Sequence, residues 1–145
     1  MPNPTAAMLV IGDEILSGRT QDTNTNHLAV RLTAAGVDLR EIRVVGDEAG
    51  EIVVAVNALR IRFDYVFTSG GIGPTHDDIT ADCIAQAFGV GIDVRADARA
   101  ILATNYKNPD KELNAARLRM ARIPDGADLI DNPVSKAPGF RIGNV

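Results

Sequence analysis

D-Y-V-F-T-S-G-G-I-G-P-T-H-D-D-I-T, residues 64–80, passes from an apolar stretch through a glycine-rich turn into a pair of carboxylates. Residues 64–69, with Y-V-F-T at the centre, read as a strand that the glycines end. Residues 80–88 then read as a helix stopped by Gly89. Upstream, A-A-M-L-V-I-G at residues 6–12 is a buried strand closed by glycine. Residues 25–35 carry Leu28, Val30, Leu32 and Ala35 ahead of Gly36, which predicts a helix and its stop. Residues 37–45 return as a strand, closed by Gly46-Asp47. Residues 48–62 place Ile52, Val53, Val56, Leu59 and Ile61 at largely helical spacing, with Asp47 as the expected N-cap. Strand, helix, strand, helix, strand, loop, helix predicts an α/β fold, a doubly wound, mostly parallel sheet between helical layers.

The second half reads as more helical. Residues 96–105 and 111–120 are expected helices separated by Asn108-Pro109, and residues 127–130 a short strand. Two prolines and a glycine make N-P-V-S-K-A-P-G, residues 132–139, a loop. Residues 140–145 begin a strand. Its shortness leads to the expectation of one domain over residues 1–145, truncated at its C-terminal end.

Composition narrows the class. The chain has 145 residues, enough for one α/β domain with a core. With four Phe, two Tyr and no Trp, that core must be aliphatic, which suits a buried parallel sheet. A net charge of -4 and scattered arginines argue against nucleic-acid binding, which depends on clustered Lys and Arg. The single cysteine, Cys83, excludes an internal disulfide and fits a reducing compartment. The apolar run at residues 6–11 is too short for a membrane segment, so the expected address is the cytoplasm.

Ligands of open α/β sheets bind at the carboxyl ends of the strands. Gly70, Gly71 and Gly73 follow such an end, where glycine permits close backbone approach and positive φ, so that N–H groups can face an anion. The helix beginning near Thr80 would add its dipole. Asp77 and Asp78 beside such a cradle would repel a phosphate unless a cation bridges them, which implies an oxygen-preferring metal such as Mg²⁺. The plainer alternative makes Asp78 a helix cap and leaves Asp77 solvated. Asp13 and Glu14 follow the first strand and could take a metal or a ribose hydroxyl, with Asn24 and Asn26 as neutral partners; Asp13 could equally cap a turn. His76 could touch the metal or a phosphate but reads more simply as an exposed loop residue, His27 reads as structural or surface, and Cys83 as buried packing.

G-G-I-G-P-T-H-D-D-I-T resembles the glycine–aspartate motif of the MoaB/Mog family of molybdopterin-binding domains. Ile72 stands where the molybdenum-cofactor members usually have Thr, and Pro74-Thr75 followed by Asp77-Asp78 looks like the CinA-type branch. G-D-E-I-L at residues 12–16, then Gly18 and D-T-N at 22–24, resembles the CinA opening. P-D-G-A at 124–127, Asn132-Pro133 and A-P-G-F at 137–140 resemble its later segments. Ser135-Lys136 departs from that pattern, which has glycine and a small residue there.

The resemblance implies a MoaB/Mog-like fold and metal-dependent hydrolysis of a nucleotide diphosphate linkage, ADP-ribose to AMP and ribose 5-phosphate. Asp77 and Asp78 would be catalytic and metal-binding, and Asp47 matches an acidic active-site position of Mog proteins. Ser69, Gly70, Gly71, Gly73, Pro74, Thr80, Asp13, Glu14, Asn24, Pro138 and Gly139 would contact the ligand. The basic segment with Lys111, Arg117, Arg119 and Arg122 reads as a solvated face, part of which the resemblance would place beside the ligand. The alternatives are a molybdopterin adenylyltransferase, with molybdopterin as ligand, and a non-catalytic pterin- or nucleotide-binding module. The family leans towards dimers or trimers.

Overall fold

The run at residues 6–12 forms the middle of a parallel sheet in a computed structural model that describes residues 2–145. Strands β1 (Thr5–Ile11), β2 (Asp38–Val45) and β3 (Tyr65–Ser69) lie in the order β2-β1-β3, with Met8 paired to Ile42 on one side and Phe67 on the other. Every residue from Ala6 to Ile11 is buried, as a central strand requires. Between β1 and β2 come α1 (Asp13–Leu16) and α2 (Asn24–Ala34), and between β2 and β3 comes α3 (Ala49–Arg62), which buries Ile52, Ala55, Val56 and Leu59. Long crossovers of this kind are what join parallel strands. Asn144 closes the C-terminal end of α3, its side-chain amide donating to the carbonyls of Arg60 and Phe63 while its own carbonyl accepts from Val66 N.

These elements, with residues 144–145, form one unit; residues 72–143 form a second. In the second unit α4 (Thr80–Phe88) ends at Gly89, whose φ is 67°, and packs on an antiparallel pair, β4 (Ile92–Val94) with β5 (Arg122–Pro124). Helices α5 (Ala96–Ala103), α6 (Pro109–Glu112) and α7 (Ala115–Leu118) and a 3-10 turn (Arg119–Ala121) follow in sequence between β4 and β5. A second antiparallel pair joins β6 (Asp128–Ile130) to β7 (Gly139–Arg141). Ala98, Leu102, Leu113, Ala121, Ile123 and Ala127 make this unit's core, with Tyr106, Leu118 and Phe140 packed beside them.

The α/β class and the parallel sheet agree with the sequence pattern, while several local expectations do not. Asp47 does not cap α3; Glu48 holds the N-cap position, and an Asp47 carboxylate oxygen accepts from Asp13 N instead. The helix expected over residues 111–120 breaks at Leu113 and Asn114, because Asn114 turns extended and its side chain caps the next turn by accepting from Arg117 N. Residues 122–124 continue as a strand. The strands expected at residues 127–130 and from residue 140 are seen as β6 and β7, whereas β4 and β5 were not expected, since three-residue strands carry too little alternation to register as a period.

Two glycines separate conformational from steric demands. Gly36 has φ 80° with open space where a Cβ would stand, whereas Gly70 has φ 92° and a Cβ there would sit 1.9 Å from the carbonyl oxygen of Ile11. Gly36→Ala should cost only the left-handed penalty of about 1–2 kcal/mol. Gly70→Ala should cost more than about 4 kcal/mol or prevent folding. Urea unfolding of both variants measures the difference, and equal losses would contradict the steric account.

Candidate functional site

The carboxyl ends of the three parallel strands gather the first set of candidates. Gly12 N donates to the Val45 carbonyl at 3.0 Å, drawing the ends of β1 and β2 together. Asp13 and Asp47 then hold one another reciprocally: Asp13 N donates to Asp47 Oδ2 at 3.1 Å, and Asp47 N donates to Asp13 Oδ1 at 3.0 Å. Gly46 makes this possible, since a Cβ there would meet Asp13 Oδ1 at 2.4 Å. Each carboxylate thus has one oxygen in a backbone bond and a second that neither of these bonds uses. Glu14 folds back over Gly12, where a Cβ would lie 2.5 Å from Glu14 Oε1. Gly70 and Gly71, at the end of β3 after Ser69, take φ of 92° and 64°, the left-handed conformations expected of them.

Asn24 opens α2. Its amide N–H, that of Thr25 and the Thr25 hydroxyl all go to the Asp22 carboxylate, so the Asp22 side chain satisfies the first amides of this helix, with Thr23 at the N-cap position. The signal was present as D-T-N-T, an aspartate just before a helical run.

The second set lies in the second unit, in the turn that leads into α4. Asp78 Oδ2 accepts from Thr75 N and from the Thr75 hydroxyl, both at 2.8 Å. The Gly73 amide also bonds to this carboxylate, and Asp78 N donates back to the Thr75 carbonyl at 3.1 Å. Gly73 therefore serves differently from Gly70 and Gly71. It is not in the left-handed region; it leaves room for the carboxylate, which a Cβ would meet at 2.9 Å. Partial burial opposes ionisation of Asp78, but the bonds from Thr75 and Gly73 and the positive charge of Arg119 outweigh it and hold its carboxyl below the ordinary 3.8.

Asp77 faces the other way in chemical terms. Its side chain is 75% exposed, with His76 Nε2 3.3 Å from Oδ1. Among the described residues no three His, Cys, Asp or Glu side chains are grouped to hold a metal. Thr80 is fully buried at the start of α4. Cys83, one turn on, is also buried, and its surroundings together with neighbouring Asp82 push its thiol up to about 11, so it is an inert packing residue. Pro138 is buried and Gly139 begins β7. The preceding loop is organised by Asn132, which accepts from Val134 N and Ser135 N and donates to Ser135 Oγ and the Ala137 carbonyl. Lys136 sits there at φ 63°, the one non-glycine with positive φ among the described residues.

Arg117, Arg119 and Arg122 do not form a solvated basic face. Arg117 donates to the Glu112 carbonyl and lies over the Tyr106 ring, and Arg122 pairs with Asp82 at 2.7 Å. Arg119 reaches the site turn, donating from Nε to the Thr75 carbonyl and from Nη2 to the Asp78 carbonyl, both at 3.0 Å. Spacing along the chain gave no sign of a contact across more than forty residues.

Residues 7–145 match the family described as probable molybdopterin binding domain, and the chain belongs to that family. Within it the chain is of the CinA type. A CinA-like protein of Citrifermentans bemidjiense is 42% identical over 139 residues, which cover 94% of this chain and 34% of that protein. The crystal structure of the protein CinA from Thermoplasma acidophilum superposes with a TM-score of 0.85 at 38% identity, covering 94% of this chain and 80% of that one. The tungsten cofactor synthesizing protein MoaB from Pyrococcus furiosus, at 19% identity and TM-score 0.58 over 92% of this chain and 77% of its own, shares the fold. The α/β architecture is therefore that of MoaB/Mog proteins. The chain spans 53% of a relative from Caldivirga maquilingensis that is 39% identical to it, and 52% of one from Metallosphaera sedula.

Because the folded carboxyl of Asp78 titrates below its ordinary value, its contribution to the turn is complete above about pH 4 and is lost as the pH falls through the folded value. The Thr75 amide resonance, followed by NMR through an acid titration, should move with this carboxyl. Asp78→Asn should remove that inflection, and an inflection that persists would assign it to another group.

Proposed function

We propose that this domain binds a nucleotide diphosphate and hydrolyses its pyrophosphate linkage with the help of a divalent cation, taking ADP-ribose to AMP and ribose 5-phosphate. The observation that carries the reading is the turn at residues 73–78, prearranged by Asp78 with Asp77 left exposed beside it. Preorganised groups aimed at phosphoryl oxygens need no rearrangement during reaction.

The donor set fits a hard cation of the Mg²⁺ kind. Asp78 commits Oδ2 to Thr75, and Asp77 is open to solvent. Mg²⁺ commonly takes only one or two protein carboxylates and completes its shell with water and substrate phosphates, so a third acidic ligand is not required. Asp77 and Asp78 would hold such an ion, which when bound supplies neutralisation of phosphoryl charge.

The chain's own groups account for the rest. In this reading Gly70 and Gly71 let the backbone approach the phosphoryl oxygens, while Gly73, whose amide is held by Asp78, shapes the turn together with Pro74 and Thr80. The resemblance adds Asp13, Glu14, Asn24, Pro138 and Gly139 as ligand-contacting positions. Asp47 keeps one carboxylate oxygen on Asp13 N, and the resemblance makes it an active-site acid, while Asp77 and Asp78 help to position the attacking water. Water oxygen bonds to phosphorus as the bridging P–O bond breaks, and the proton released ends on a product phosphate. As proposed, the domain acts in the cytoplasm as a homo-oligomer.

A second reading, binding or adenylylation of a pterin phosphate, draws on the description of the family. Ile72, 63% exposed in the turn, stands against it where Mog-type members carry threonine.

Asp78→Asn keeps a carbonyl acceptor for Thr75 but loses the charge, so the fold should persist while Mg²⁺-dependent release of AMP from ADP-ribose disappears. Circular dichroism and an AMP assay together check this. Wild-type turnover in a folded variant would sink the assignment.

A further inference from the structure

Arg119 is the one arginine of its segment whose hydrogen bonds land on the turn at residues 73–78. Its guanidinium uses two edges at once, Nε on the Thr75 carbonyl and Nη2 on the Asp78 carbonyl, each at 3.0 Å. Nη2 also lies 4.0 Å from Asp82 Oδ2, while Asp82 Oδ1 takes Arg122 Nη2 at 2.7 Å. The Arg119 side chain is 30% exposed. Its charge is therefore spent on two backbone carbonyls and one carboxylate within the protein.

The peptide group is planar and trans, so a carbonyl turned towards Arg119 turns the following N–H the opposite way. Holding the Thr75 and Asp78 carbonyls thus fixes the direction of the His76 and Ile79 amides and the backbone path of Asp77 between them. Asp78 fastens the same turn from within through Thr75. One fastener sets the shape of the turn; the other fixes it to the 3-10 turn that carries Arg119.

We infer that Arg119 is a positioning residue, which holds the turn bearing Asp77 and Asp78 in its working shape and does not itself bind the ligand's phosphates. This rests on the reading of the turn as the phosphate and cation site. A lysine cannot replace the fork, because one ammonium centre does not span two carbonyls in a fixed plane.

The test compares Arg119→Lys and Arg119→Met with the wild type, and with Arg117→Met as a control that leaves the turn alone. Amide hydrogen exchange at Thr75 and Asp78 is read against Leu102, a buried helical residue of the same unit. Both Arg119 variants should speed exchange at Thr75 and Asp78 on the order of tenfold relative to Leu102. With ADP-ribose and Mg²⁺, both should lose on the order of tenfold in kcat while KM for ADP-ribose moves less than about threefold. Unchanged exchange at Thr75 and Asp78 overturns the inference. So does an Arg119→Lys variant with wild-type kcat beside an Arg119→Met variant raised mainly in KM, the pattern of a direct phosphate contact. Absence of wild-type turnover would remove the hydrolase reading, and the exchange comparison alone would then decide the role of Arg119.

Discussion

Asp78 places its carboxylate where the Thr75 amide, the Thr75 hydroxyl and the Gly73 amide all point at it. A segment containing glycine and proline would otherwise sample many conformations, and ordering each residue costs about 1–2 kcal/mol of backbone entropy. Three donors on one ionised group offset part of that cost, because bonds to charged acceptors are stronger than neutral ones. Gly73 is needed for the space it leaves, and Arg119 for the outward-facing carbonyls that the same closure creates. The chemical candidates of this segment all inherit their placement from that carboxylate.

The parallel sheet imposes a comparable constraint on the other candidates. Its three strands end within one residue of each other, and the ends of β1 and β2 are tied by Gly12 to Val45 and by the mutual grip of Asp13 and Asp47. Gly46 and Gly70 are small because a carboxylate and a carbonyl occupy the space that their side chains would fill. Acidic residues at these ends therefore have a structural task and a spare oxygen. An Asp that holds backbone with one oxygen can still offer the other to a ligand, so the choice between cap and ligand posed by the sequence is not exclusive.

What the sequence disclosed follows from the range of the interactions involved. The central strand was legible because burial on both faces forces an unbroken aliphatic run, as in residues 6–11. Helix stops at Gly36 and Gly89 were legible because left-handed φ selects glycine. The left-handed turns at Gly70 and Gly71 belong to the same kind of local signal. Contacts distant in sequence left no periodic trace. The Asp13–Asp47 bond spans 34 residues and diverted Asp47 from the cap expected of it, and Arg119 spans 41 and 44 residues to reach its two carbonyls. The break at Asn114 was hidden for another reason. The apolar spacing continues through it, while the Asn side chain competes locally for the backbone.

Family membership narrows the chemistry without choosing the bond broken. Proteins of this fold are associated by their descriptions with molybdopterin or tungsten cofactor synthesis, and the branch that this chain resembles in sequence carries the CinA name. The central claim is that the carboxylates beside the phosphate cradle make diphosphate binding depend on a divalent cation. Isothermal titration calorimetry of the chain with ADP-ribose, with and without Mg²⁺, tests it most directly. The account predicts saturable binding with Mg²⁺ and binding weaker by on the order of tenfold or more without it, since the two aspartates would then repel the diphosphate. Equal affinity in both conditions, or binding of a pterin phosphate alone, would contradict it.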